Sequence, residues 1–369
     1  MHMADALLSP AVGGTMWAAT AGTIGYCAKK VREEMDDSKV PLMGVLGAFI
    51  FASQMINFTI PATGSSGHLG GGMILAILLG PYAAFLAMAS VLAVQALFFA
   101  DGGLLALGCN IFNLGVFPCF VAYPLLYKPI VGGRPTQGRL TAACLISAIV
   151  GLQLGAFGVV LQTVFSGVSE LPFGSFVLLM QPIHLGIGFV EGLATAAVVG
   201  FVWKAQPAIL EKASAHQALG GISVKGVLGG LAVAALMTGA VLSWFASPNP
   251  DGLEWAIAKV TEKGGPAPSE PPSVRPPPGP AVGASSAGEP ASKEAAHSVL
   301  AALQEKLAFL PDYGFRRAER PPVPSPENPP APGWPTPDAS TSVSGIVGGM
   351  ITLAVAVAIG LALRRSASA

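Results

Sequence analysis

The chain has 369 residues, of which 52% are hydrophobic and 11% charged, and 20 Lys and Arg balance 20 Asp and Glu. A soluble domain carries about 25% charged residues, so this composition excludes a soluble enzyme with a charged surface, and the absence of a basic excess excludes a nucleic-acid binder. It implies a polytopic membrane protein with one anomalous segment, 248–342, which holds 21 of the 32 prolines, 8 of the Lys and Arg and 11 of the Asp and Glu.

Apolar runs of about 17–25 residues can cross a bilayer as helices. In chain order the predicted spans are 10–28, 41–58, 81–100, 104–127, 139–166, 176–204, 223–246 and 344–363. A shorter run, 70–79, ends at Gly80-Pro81 and is too short to cross alone. Seven of these segments fall in a first part, 1–215, and two flank the Pro-rich stretch in a second part, 216–369. The fold class is all-α, because an open chain in lipid satisfies its backbone only as helix. The core of the Pro-rich stretch, Gly264 to Ser292, is Pro/Ala/Gly/Ser low complexity and is expected to stay disordered or polyproline-like.

Basic residues set the orientation. With the N-terminus outside and 70–79 counted as a crossing, all twelve Lys and Arg outside 248–342 fall on the cytoplasmic side. They are Lys29, Lys30, Arg32 and Lys39, then Lys128, Arg134 and Arg139, then Lys204, Lys212, Lys225, Arg364 and Arg365. If 70–79 only extends the next helix, the loop 128–139 moves outside and the rule breaks. The expectation is an N-out, C-in chain in a cytoplasmic membrane, with the Pro-rich loop outside and the 59–69 loop dipping into the protein. The start carries no basic residues and its first apolar run is long enough to span, so no cleavage is expected and Met1 should remain.

Enzyme chemistry finds no support. The four cysteines, Cys27, Cys109, Cys119 and Cys144, lie in predicted spans without C-x-x-C pairing and read as small buried hydrophobes. No Gly-Lys dipeptide occurs, so this chain has no P-loop, and ATP-driven work would need a separate ATPase.

Metal chemistry does find support. The topology places His2 and His68 on one outer face. A free Met1 amine, the Met1–His2 amide nitrogen and the His2 Nδ1 close a five- and a six-membered chelate ring and supply three nitrogens in one plane. His68, in the Gly-rich loop Pro61–Gly72, can bring a fourth, and four nitrogens in a square plane suit Ni(II) or Cu(II). Irregular backbone at membrane depth is tolerated where it lines a cavity. Gln54, Asn57, Ser65 and Ser66 lie beside this loop and could orient the His68 ring or cap the loop. His184 and Glu191, two helical turns apart, share a face and serve either translocation or structure. Gly14, Ala18 and Gly22 form a small-residue stripe for close helix approach, within the chain or with a partner. Asp101 reads as a turn residue, and His216 and His297 as inert loop positions.

Several motifs resemble the substrate-binding (M-type) component of nickel/cobalt energy-coupling-factor (ECF) transporters. They are Met1-His2-x-x-Asp5-x-x-Leu8-Ser9-Pro10, Gln54-Met-Ile-Asn57-Phe58, Thr63-Gly-Ser-Ser-Gly-His68-Leu-Gly-Gly-Gly72, Gln95 through Asp101-Gly-Gly, Asn110-Ile-Phe-Asn113, and Pro182-Ile-His184 through Glu191-Gly192. They cover about 1–205. The Gly-His-Leu-Gly-Gly loop is more similar to the nickel branch than to the cobalt branch. Ala6 and Leu7 stand where the family usually has Gly and Phe. The second part resembles the small PDGLE-type (N-type) subunit of the same transporters, through Asn249-Pro-Asp-Gly-Leu-Glu254 and Leu310-Pro-Asp-Tyr-Gly-Phe315. The resemblance implies a fused substrate-capture component of an ATP-driven Ni2+ importer, without a cofactor, with metal held by Met1, His2 and His68. Its partners would be a transmembrane coupling (T) subunit, touching the Gly14/Ala18/Gly22 face, and ABC-type ATPase subunits. A Co2+ importer component, a stand-alone permease and a membrane scaffold are the alternatives.

Overall fold

A computed structural model describes residues 2–133, 135–168, 171–264, 291–316 and 336–367. Ser9 Oγ accepts the Val12 N–H at 3.4 Å and opens α1 (Pro10–Val31), with Pro10 at its first position and Lys29 and Lys30 at its carbonyl end. Asp36 Oδ1 accepts from the N–H groups of Ser38 and Lys39 at the start of α2 (Lys39–Gln54). This helix ends before the predicted limit at 58, because the chain after it pairs as an antiparallel hairpin, β1 (Phe58–Ile60) with β2 (Ser65–Gly67).

The expected dip follows. Ser65, Ser66 and His68 are buried, and so is every residue of α3 (Gly72–Leu79). This short helix therefore runs inside the protein. Next come α4 (Pro81–Phe99) and a continuous span made of α5 (Leu107–Ile111), a π-helical stretch (Phe112–Tyr127) and α6 (Lys128–Val131). Pro118 and Pro124 lie inside the π stretch. Each removes an N–H and crowds the preceding turn, so the helix widens there. The first part closes with α7 (Gln137–Ser166), α8 (Phe173–Ala205), which packs along it, and the short α9 (Ala208–Ser214).

The second part begins with α10 (Lys225–Ala240). The outer segment 248–342, for which no helix was predicted, contains two helices, α11 (Gly252–Gly264) and α12 (Ala291–Leu307), on either side of the low-complexity core. Leu253, Ala256 and Val260 bury one face of α11 at helical spacing, a pattern masked by the overall proline content. Residues 265–290, almost all of the low-complexity core, lie outside the described residues. The last helix is α13 (Ala339–Ala367).

The result is an all-α membrane protein. Among the described residues five helices are long and apolar enough to cross a membrane: α4, Leu107–Val131, α7, α8 and Ala339–Arg364 of α13; α2 and α10 are shorter apolar helices, and α1, at the predicted span 10–28, is long enough but too rich in Gly and Thr to be among the five. The two parts are not separate bodies, since α10 and α13 both pack on α2. Where α10 meets α13 the backbones touch, and a Cβ on Gly345 would lie 2.5 Å from the Gly239 carbonyl oxygen. Gly345→Val is expected to overpack this crossing, at a cost of about 1–3 kcal/mol. The check is a lowered unfolding temperature in detergent, against Gly226→Ala as control, where a Cβ meets nothing within 4 Å.

Candidate metal centre

The start of the chain is pinned by the 100–110 region. The Met3 N–H donates to Asn110 Oδ1 (2.8 Å), and the Met3 carbonyl accepts from the Gly103 N–H (3.0 Å) and Asn110 Nδ2 (3.3 Å). Asp5 Oδ1 accepts the Ala106 N–H at 2.9 Å. Met3 is fully buried. These bonds bring His2 to the dipping loop, and the His2 and His68 rings stack with centroids 4.9 Å apart and an interplanar angle of 25°.

Each ring has its own holder. His68 Nδ1 lies 3.0 Å from the Leu69 carbonyl oxygen. That carbonyl can only accept, so Nδ1 carries the hydrogen and Nε2 the lone pair, the tautomer of a metal-ligating imidazole. Burial, joined by nearby positive charge, pushes the His68 pKa down to about 3, so the ring is neutral at physiological pH. His2 Nδ1 lies 2.8 Å from Asp101 Oδ1, and His2 Nε2 is buried without a hydrogen-bond partner among the described residues. Burial alone would raise the Asp101 carboxyl, but the His2 ring and the hydrogen bonds from His2 and Tyr313 outweigh it and hold it below the usual carboxylate range. Asp101 is thus an ionised acceptor, and His2 Nδ1 donates to it. Read from sequence as a turn residue, it is instead the group that orients His2.

The loop itself is anchored from α8. The Gly70 N–H donates to Glu191 Oε2 (2.8 Å) and the Gly71 N–H to Glu191 Oε1 (3.0 Å). Gln54 Nε2 donates to the Gly70 carbonyl at 2.8 Å. Ser65 Oγ bonds Thr63 Oγ1 (2.7 Å) within the hairpin turn, and Ser66 Oγ donates to the Asn249 carbonyl (2.7 Å). The Asn57 carbonyl accepts the Ser247 N–H at 2.7 Å. These four polar positions therefore brace the loop, two of them against the second part. His184 is fully buried on the same helix as Glu191; its Nδ1 donates to the Met180 carbonyl (2.8 Å) and its Nε2 has no partner among the described residues. A small cavity touches His68, Asp251 and Gly252, and a second touches Asn113 and Glu191; both are lined by Gly70, Leu114 and Leu152.

Met1 lies outside the described residues. Among the described residues no group of three or more His, Cys, Asp or Glu could hold a metal ion. Gly14, Ala18 and Gly22 are all exposed on α1, and a Cβ at either glycine would meet nothing within 4 Å.

Residues 2–209 match the cobalt uptake substrate-specific transmembrane region. The chain belongs to this family. Residues 225–273 and 281–365 match the PDGLE domain, so this member fuses an M-type component to an N-type subunit. It is 37% identical over 209 residues to a putative metal transport protein of Haloquadratum walsbyi, covering 56% of this chain and 92% of that one. It is 36% identical over 222 residues to a putative fused nickel transport protein of Archaeoglobus fulgidus, covering 58% of this chain and 70% of that one. A crystal structure of a truncated transition metal transporter matches with a TM-score of 0.50 and 30% identity, over 56% of this chain and 99% of that chain.

As a member of the family, the chain is a multi-pass protein of nickel and cobalt transport. The PDGLE signature has a physical reading here. Asp251 Oδ1 accepts the N–H groups of Leu253 and Glu254, both at 2.8 Å, and Glu254 Oε2 accepts the Asp251 N–H at 3.3 Å, a capping box that starts α11. Leu253 is buried, and Gly252 passes over Ile183 and His184 of α8. The segment before it bridges to β2, where the Ser66 N–H donates to the Pro250 carbonyl at 2.8 Å.

His297, read as an inert loop residue, sits on α12 with Nε2 3.0 Å from the Leu8 carbonyl, and Gln304 of the same helix donates to the carbonyls of Gly102 (2.7 Å) and Ala96 (2.9 Å). His216 lies 3.3 Å from Glu34 and is not isolated either. The sequence signal for these contacts was slight, because their partners lie far along the chain.

Proposed function

We propose that this protein captures Ni2+ for an ATP-driven ECF-type importer, binding the ion through the Met1 amine, the Met1–His2 amide, the His2 imidazole and His68. The stacking of the His2 and His68 rings carries this reading. Two residues 66 positions apart meet where the chain start and the buried loop converge. The fused nickel transport protein among the relatives and the nickel-like form of the loop favour nickel over cobalt. ATP hydrolysis belongs to separate ATPase subunits, and the exposed Gly14/Ala18/Gly22 face of α1 is offered to the coupling subunit. The metal enters from the outer side of a bacterial or archaeal cytoplasmic membrane, with the N-terminus out and the C-terminus in.

Amide ligation is the discriminating chemistry. A ligating amide must lose its proton, and so must the ammonium, so nickel binding should release protons. We expect the heat of nickel binding to vary with buffer ionisation enthalpy, and the purified chain to show the spectrum of diamagnetic square-planar Ni(II). Binding without proton release, or a tetrahedral cobalt-type spectrum as the tight complex, counts against this donor set.

A further inference from the structure

The His2 Nδ1 needed by the chelate is the atom that Asp101 holds at 2.8 Å. The other Asp101 oxygen, Oδ2, accepts from the Tyr313 hydroxyl at 2.5 Å. Tyr313 belongs to the PDGLE part, 212 residues away in sequence. Its ring stacks on Phe99 (5.2 Å between centroids, 24°) and meets Phe51 edge-on at 6.1 Å, and its carbonyl accepts from Ser344 Oγ at 2.9 Å. Asp312 and Tyr313 both adopt left-handed φ angles, 50° and 58°, without being glycine. Such backbone persists only where the surroundings hold it, and it clusters at functional sites. Burial first, and the neighbouring Asp101 charge second, keep the Tyr313 phenol well above its usual pKa, so it stays a donor.

We propose that Tyr313 is a positioning residue for metal capture, sharing Asp101 with His2 so that the carboxylate can release Nδ1 to the ion. This rests on the capture reading above. When Nδ1 becomes a ligand, the imidazole takes its other neutral tautomer, with the proton on Nε2 instead of Nδ1. Asp101 then loses one of its two donors. With Tyr313 in place the ionised carboxylate keeps a hydrogen bond. Without the hydroxyl it would be left with neither, so it retains His2, and the metal-bound state becomes the costlier one. The second part of the chain thereby acts on the capture site through the Tyr313 hydroxyl, beside its backbone contacts to the loop at Ser247, Asn249 and Pro250.

The experiment uses the full chain with its native N-terminus in detergent, Ni2+ alone as the probe, and affinity and association rate read from the nickel absorption. Tyr313→Phe keeps the ring and its stacking on Phe99. We expect it to lower nickel affinity about ten- to a hundredfold, the usual effect of an outer hydrogen-bond partner, and to slow association. In an Asp101→Asn background Tyr313→Phe should have no further effect. Wild-type affinity and rate for Tyr313→Phe would overturn the proposal. So would an equal loss in both backgrounds, which would show that the residue acts through packing. His2→Ala separates the two levels. If that variant binds nickel undiminished, the capture reading fails, whatever Tyr313 does.

Discussion

Replacing His68 or His2 by alanine, or acylating the N-terminal amine, is expected to abolish high-affinity nickel binding. Each change removes one donor of the proposed square plane, so the loss should exceed the ten- to hundredfold that an outer partner contributes. The three changes differ in what else they disturb. His68→Ala leaves the loop anchored, because Glu191 holds Gly70 and Gly71, and Gln54 holds the Gly70 carbonyl. His2→Ala leaves the chain start pinned through Met3 and Asp5 to Asn110 and Ala106. Acylation changes no side chain at all and tests the backbone donors alone. Calorimetric titration of the three proteins checks this, and unchanged affinity in all three would remove the capture reading. If acylation alone is harmless, the amine is not a donor and the two imidazoles act without the chelate.

Membrane class, the order of the apolar helices and the burial of Ser65, Ser66 and His68 were legible because they follow from long apolar runs and from a run, 70–79, too short to cross alone. The pairing of His2 with His68 was legible for the same reason, since topology alone put both on one face. What holds those rings was not legible. Asp101 reads as a turn because Asp-Gly-Gly is turn chemistry, yet its carboxylate bridges His2 and Tyr313. That bridge joins residues 2, 101 and 313, and no local pattern connects them. The helices α11 and α12 were hidden for a different reason. Each flanks the low-complexity stretch, whose prolines dominate any window taken across it. Leu253, Ala256 and Val260 give the period away only once the Pro-rich neighbours are set aside.

Glu191→Gln is expected to weaken nickel binding, and Glu191→Ala to weaken it more, and this follows from the geometry of two donors meeting one carboxyl group. The N–H groups of Gly70 and Gly71 point at Oε2 and Oε1 at 2.8 and 3.0 Å. Gly71 has φ of 76°, which lets consecutive amides converge on one carboxyl group as in a backbone nest. A glutamine at this position offers one oxygen and one NH2. The oxygen can serve one amide, but the NH2 then faces the other, donor against donor. A buried N–H left without an acceptor costs about 1–3 kcal/mol, and alanine leaves two. Because these amides follow His68 by two and three positions, their release frees the ligand loop, and the loss should appear in nickel affinity together with the unfolding temperature. Glu191 is fully buried on α8, where an ionisable group is expensive to keep unless it has such a task. Wild-type nickel affinity in Glu191→Gln would show that one acceptor suffices and that Gln54, through the Gly70 carbonyl, is the anchor that sets the loop.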